Sequence, residues 1–209
     1  MGKFAMVLLA GIVLVALLAA ACGVSSYNRL VGLQQGVDAA WAQVENVYQR
    51  RADLIPNLVA TVQGAAGFEQ ATLTAVTEAR ASVGRVQISG KDLVNNPQAF
   101  AQWQAAQDSL GSALQRLLVV AENYPDLKAT AGFRDLQVQL EGTENRVTVE
   151  RMRFNEAAQN YNTARLRFPT NLFANMLGFG EKAYFKAAAG AEKAPEVKFD
   201  FKPSPAPAH

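Results

Sequence analysis

Two arginines, a carboxylate and a carboxamide fall within about two helical turns in the stretch Arg50-Arg51-Ala52-Asp53-Leu54-Ile55-Pro56-Asn57. These residue types at this spacing could form the polar site of an enzyme or of a ligand carrier. They interrupt a segment that otherwise reads as an amphipathic helix, where packing alone asks for no such cluster. Elsewhere the means for chemistry are sparse. The single cysteine is Cys22 and the single histidine is the terminal His209. No disulfide can close within the chain, no Cys/His metal cluster can assemble, and a Ser-His-Asp or Cys-His nucleophile has no usable imidazole. The other carboxylates lie among arginines at helical spacing with no glycine-rich loop nearby, and read as solvated helix faces. No catalytic residue, metal or cofactor is expected, and the chain reads as a non-enzyme. The competing reading is a ligand-binding or enzymatic site at Arg50, Arg51, Asp53 and Asn57. A formal charge of +2, from 20 basic and 18 acidic residues that are interleaved, gives no support for a nucleic-acid surface.

A helical chain must position these groups. The 209 residues, half of them apolar, suit one domain with a sizeable core. Residues 1–25 read as an N-terminal anchor. From Phe4 to Ala21 the sequence is apolar throughout, just enough to cross a bilayer as a helix. Leu18-Ala19-Ala20-Ala21-Cys22 also looks like a bacterial lipobox whose leucine stands one place too far upstream, which makes Cys22 a lipidation candidate. A retained span and a lipid anchor both tether the chain to a membrane, and both stay open. Lys3 and the amino terminus on one side, against Arg29 on the other, favour a cytoplasmic N-terminus with the domain outside.

Residues 26–185 read as an all-α, long antiparallel helical bundle. From Tyr27 to about Ala66, two rows recur at heptad spacing: Leu30, Val37, Val44, Arg51, Leu58 and Ala65, and Tyr27, Gln34, Trp41, Tyr48, Ile55 and Val62. Pro56 predicts a kink in this first helix. A second helix is expected from about Glu69 to Val86, with Leu73, Val76, Arg80 and Val83 on one side. A loop follows over Gly90 to Pro97, then a third helix to about Glu122. The fourth, from about Thr130 to Arg167, carries Phe133, Leu140, Val147, Phe154, Tyr161 and Phe168 seven apart. Lengths then fix the architecture: the short middle pair forms a hairpin on the end of the longer outer pair that is far from the anchor, leaving a two-helix stalk near it. After Pro169, a short amphipathic helix carries Leu172, Phe173, Met176, Leu177 and Phe179. Residues 186–209 read as a disordered Pro/Ala tail.

Tyr27-Asn28-Arg29-Leu30-Val31, Arg50 to Val59, Tyr124-Pro125-Asp126-Leu127-Lys128-Ala129, Glu141-Gly142-Thr143-Glu144-Asn145-Arg146 and Phe168-Pro169 occur in that order. With these motifs the chain resembles the LemA family of bacterial membrane-anchored helical proteins, over about Tyr27 to Phe185. The resemblance implies an antiparallel helical bundle in the bacterial envelope and no settled activity. It also implies a topology opposite to the one the flanking charges favour, so orientation stays open. Relatives of that family include a protein implicated in forming magnetosome membranes.

The function expected is that of an interaction or scaffold protein held at the membrane. Its partners are the membrane and a protein of unknown identity, with a homo-oligomer left open. If the outer helices meet end to end, facing residues have numbers summing to about 195. Trp41 then lies near Phe154, Tyr48 near Val147, Tyr27 near Phe168, and Arg51 opposite Glu144, with Glu141 as substitute. The same geometry delivers the segment after Pro169 to the bilayer surface. There its apolar face could enter the membrane, with Lys182 and Lys186 near the headgroups, or fold back on the stalk.

Overall fold

The apolar N-terminal stretch and the centre of the bundle share one helix. In the computed structural model, which describes residues 2–65, 67–85 and 90–187, α1 runs unbroken over Lys3–Gln63, a rod of about 90 Å. Its first part is exposed on all sides and is long and apolar enough to cross a membrane. Pro56 lies inside α1 and does not end it.

All regular elements among the described residues are helices: α2 Gln70–Arg85, α3 Gly90–Val94, α4 Pro97–Ala121, α5 Pro125–Ala129, α6 Ala131–Leu166 and α7 Thr170–Ala174. Local chemistry sets the ends. Asn96 caps α4, its side chain accepting from Ala99 N at 3.1 Å, with Pro97 next, where its missing N–H costs nothing. Thr130 caps α6 by accepting from Phe133 N at 3.3 Å.

The outer pair is α1 and α6, antiparallel and in the expected register: Trp41 and Phe154 have ring centroids 5.4 Å apart. α2 and α4 pack on each other as a hairpin, with α2 and the later part of α4 covering the half away from the apolar stretch and Phe100 and Trp103 at the start of α4 reaching into the other half. The heptad rows form the core. Leu30, Val37, Val44 and Leu58 of α1, and Phe133, Leu140, Val147, Phe154 and Tyr161 of α6, are buried. They divide into two apolar clusters, one between Leu30 and Tyr48 on α1 and one from Leu54 to Val62. Arg51 lies between them.

Several expectations need correction. Residues 90–94 form α3 rather than loop, and bury Leu93 and Val94. Ala79, not Arg80, takes the buried side of α2. Phe168 leaves the α6 row: α6 ends at Leu166, Arg167 is extended (φ −74°, ψ 143°), and Phe168 is turned out to 79% exposure. The half near the apolar stretch is no two-helix stalk. At Gly178 the backbone takes φ +80°, a conformation that favours glycine. Residues 179–187 then run as an extended strap along α6, and Phe179, Ala183 and Phe185 complete the core between α1, α4 and α6. Of the expected disordered tail, residues 188–209 lie outside the described residues.

Candidate functional site

Arg51 is carried into the interior by its place in the apolar row of α1 and is 2% exposed. Its Nη1 donates to Glu144 Oε2 at 3.1 Å, and its Nη2 to the Gln107 backbone carbonyl at 3.1 Å and Oε1 at 2.6 Å. The guanidinium also stacks over the Tyr48 ring, 4.8 Å from its centroid. Nε is buried with no partner among the described residues. The paired groups come from α1, α4 and α6, so this node ties the three long helices together. A second arginine extends it: Arg151 donates to the Tyr48 hydroxyl at 2.6 Å and to Asp108 Oδ1 at 2.7 Å. Burial pushes the Tyr48 phenol above its ordinary range, against the lowering charge of Arg151.

The other residues of the cluster do not converge with Arg51. Arg50, Asp53 and Asn57 are exposed, with Asp53 accepting from Gln49 Nε2 at 2.7 Å. An open groove of about 700 Å³ between α1, α2 and α4 lies nearby, lined among others by Glu45, Tyr48, Thr77, Arg80 and Gln107. None of the four lines it. A second hollow, about 540 Å³, sits at the far tip, where Tyr124, Pro125, Asp126 and Leu127 meet Thr61, Gly64 and Ala65.

The strap is held by three carboxamides, each of which binds both backbone groups of one residue. Asn162 pairs with Lys182 N and O, both at 2.9 Å. Asn155 pairs with Phe185 N at 2.9 Å and O at 3.0 Å, and Gln104 with Lys186 N at 3.1 Å and O at 2.8 Å. Further bonds satisfy Phe179 O through Arg165, Gly180 O through Tyr161, and Ala183 N through the Val94 carbonyl. An extended segment in a helical core must find partners for its backbone, and side chains of α4 and α6 supply them. The expectation that Lys182 and Lys186 lie near headgroups is therefore corrected. Lys182 is 3% exposed, donates to Asn95 Oδ1 at 2.6 Å and sits over the Tyr161 ring, and burial lowers its pKa. The backbone of Lys186 is fixed to α4.

Of the residues expected to contact a membrane, Leu172 and Met176 are 61% and 75% exposed and Leu177 is also exposed. Phe173 is half-buried and packs near Gly23. Phe179 belongs to the core: it is 8% exposed, edge-on to Tyr27 with centroids 5.6 Å apart. Cys22 is exposed on α1.

A model of the LemA family matches residues 40–199. The chain belongs to the LemA family. Its matched span takes in the Arg51 node, the far tip and the strap. Among curated proteins it is similar to Magnetosome protein MamQ of Magnetospirillum gryphiswaldense, 25% identical over 174 residues, 76% of this chain and 64% of that one. Magnetosome protein MamQ 2 of Paramagnetospirillum magneticum is also 25% identical, over 175 residues, 77% of this chain and 64% of that one. Protein LemA of Metamycoplasma hominis is 23% identical over 161 residues, 77% of this chain and 69% of that one. The chain thus spans a little under two thirds of the MamQ proteins' length.

In this LemA-family protein, sequence reasoning missed Gln104, Asn155 and Asn162. A signal for them exists. Asn155 and Asn162 recur seven apart on α6 beside the small Ala158 and Ala164, a polar row with room beside it. In Phe179, Ala183 and Phe185 the strap has apolar residues an even number apart, the first of them flanked by Gly178 and Gly180.

Proposed function

We propose that this LemA-family protein is a membrane-anchored, non-enzymatic scaffold of the bacterial envelope that offers a rigid helical surface to a protein partner some tens of ångströms from the bilayer. The observation that carries this reading is the continuity of α1, which joins an apolar, fully exposed stretch to the core helix of the bundle with no linker between them. An anchor that continues into the core holds the head in a set orientation, which suits presentation more than capture by a flexible tether. The relatives named as magnetosome proteins support a membrane setting. The Arg51 node supports a structural role for the most distinctive cluster in the sequence, since both terminal nitrogens of its guanidinium bond groups of neighbouring helices.

The experiment is site-specific photo-cross-linking in intact cells, with the reactive residue at Asp53 or Asp126 on the exposed flank and tip. The reading expects a discrete protein adduct from one of these sites. Absence of any adduct, together with turnover of a small molecule by the purified full chain, would overturn it in favour of a ligand site along the groove beside Tyr48.

A further inference from the structure

Where α1 leaves its apolar stretch, the foot of the bundle forms a hollow of about 300 Å³, lined by Cys22, Ser25, Ser26 and Arg29 of α1 and by Arg167, Phe168, Pro169 and Thr170 from the α6–α7 turn. We propose that this hollow binds the phosphate of an anionic phospholipid headgroup between Arg29 and Arg167, while the apolar side chains around it enter the same leaflet. The proposal rests on the membrane-anchored reading above and adds a lipid site to it.

Depth is the first argument. Phe173 packs near Gly23, so α7 stands about 3 Å along the helix axis from Ala21, the last residue of the apolar stretch. Arg29 lies about 12 Å beyond Ala21, and side chains on a helix lean toward its N-terminus, here toward the bilayer. With the reach of an arginine, its guanidinium falls in the headgroup zone, about 5–7 Å thick on each side of the hydrocarbon.

Charge is the second. Arg29 and Arg167 are exposed and line one hollow, yet neither makes a side-chain hydrogen bond or ion pair among the described residues. Arg165, two residues before Arg167, is by contrast engaged with Phe179 O and Asn175 Oδ1. Two free guanidinia facing one space repel each other until an anion lies between them, and their planar donors match phosphate oxygens. The buried hydroxyls of Ser26 and Thr170, 3.3 Å apart, give the hollow a polar floor.

The rim decides which phosphate. Phe168 lines the hollow and is 79% exposed, and Leu172 and Met176, in the segment that follows its Thr170, are 61% and 75% exposed. A soluble phosphate has no use for such a rim, whereas a phospholipid brings acyl chains to cover it.

The test uses the full chain in nanodiscs of equal phosphatidylglycerol and phosphatidylcholine, with a Leu172→Trp reporter and bromine on the acyl chains of one lipid at a time. Trp41 sits about 30 Å along α1 from Ala21 and Trp103 packs on it, so both give a constant background. Brominated phosphatidylglycerol should quench the reporter roughly two-fold more than brominated phosphatidylcholine. Arg29→Gln with Arg167→Gln should equalise the two, and Arg29→Lys with Arg167→Lys should keep most of the preference. Equal quenching in the parent, or an undiminished preference in the double glutamine variant, overturns the proposal. Loss of the preference on adding millimolar inorganic phosphate, but not chloride of equal ionic strength, overturns the lipid in favour of a soluble anion. Co-elution of the chain with the discs is read separately, so failure of the lipid site is distinguishable from failure of the anchor.

Discussion

Arg51 of α1 and Glu144 of α6 meet at 3.1 Å across the bundle, although 93 residues separate them in the chain. The contact fixes how far the two long helices slide along each other, and Gln107 of α4 closes the same guanidinium from the other side. The carboxylate is half exposed while the guanidinium is buried, so the pair is only partly shielded from water.

Removing the carboxylate should therefore cost less than breaking a fully buried pair. Glu144→Gln is expected to lower stability by about 1 kcal/mol, because the isosteric amide keeps an acceptor oxygen for Arg51 but loses the charge. Arg51→Met removes the buried charge together with its bonds. The double variant should show a coupling of about 1 kcal/mol in urea denaturation of the full chain in detergent. Strict additivity would mean that the contact does not contribute to holding the register.

Phe185 makes the strap part of the core. Its ring packs against Trp41, Phe100, Trp103 and Phe154, with centroid distances from 4.8 Å to 6.3 Å. Phe185→Ala should cost about 3–5 kcal/mol, the usual range for a buried aromatic. It should also shift tryptophan emission to the red as water reaches Trp41 and Trp103. An unchanged midpoint and spectrum would show that the bundle is complete without its strap.

These two sites differ in how readable they were. Helix periodicity carried the long pair, its register and the Arg51–Glu144 contact, because each follows from heptad rows and one charge placed inside a row. The strap was not legible in that way. Its stability comes from amides on distant helices meeting an extended backbone, a nonlocal pairing that no local period encodes. Phe179 shows the consequence: its spacing from Leu172 and Met176 suits a helix face, yet the turn at Gly178 carries it into the core. Phe168 is the reverse case, on the seven-residue period but turned outward by the extended Arg167. Arg50, Asp53 and Asn57 read as companions of Arg51 in sequence, but successive residues point to different sides of a helix.

Tyr48 supplies a pH prediction. Burial raises its pKa above the ordinary value of 10.0, so the folded state keeps the phenolic proton longer than the unfolded chain does. Its contribution to stability is full below pH 10 and is lost as pH rises from there through the folded pKa. Tyr161, also raised by burial, acts in the same sense. Tyr48→Phe should reduce the fall in stability above pH 10, measured by chemical denaturation along a pH series. An identical alkaline profile in parent and variant would contradict a buried, protonated phenol.

If α1 anchors the chain as proposed, one unbroken helix should stand the head upright on the membrane. Neutron reflectometry on the full chain reconstituted in a supported bilayer measures this directly. From Cys22 to the end of α1 at Gln63 the rod extends about 60 Å. The account predicts a protein layer reaching about that far from the bilayer surface, and a layer confined to about 30 Å, roughly the width of a bundle lying flat, would contradict it.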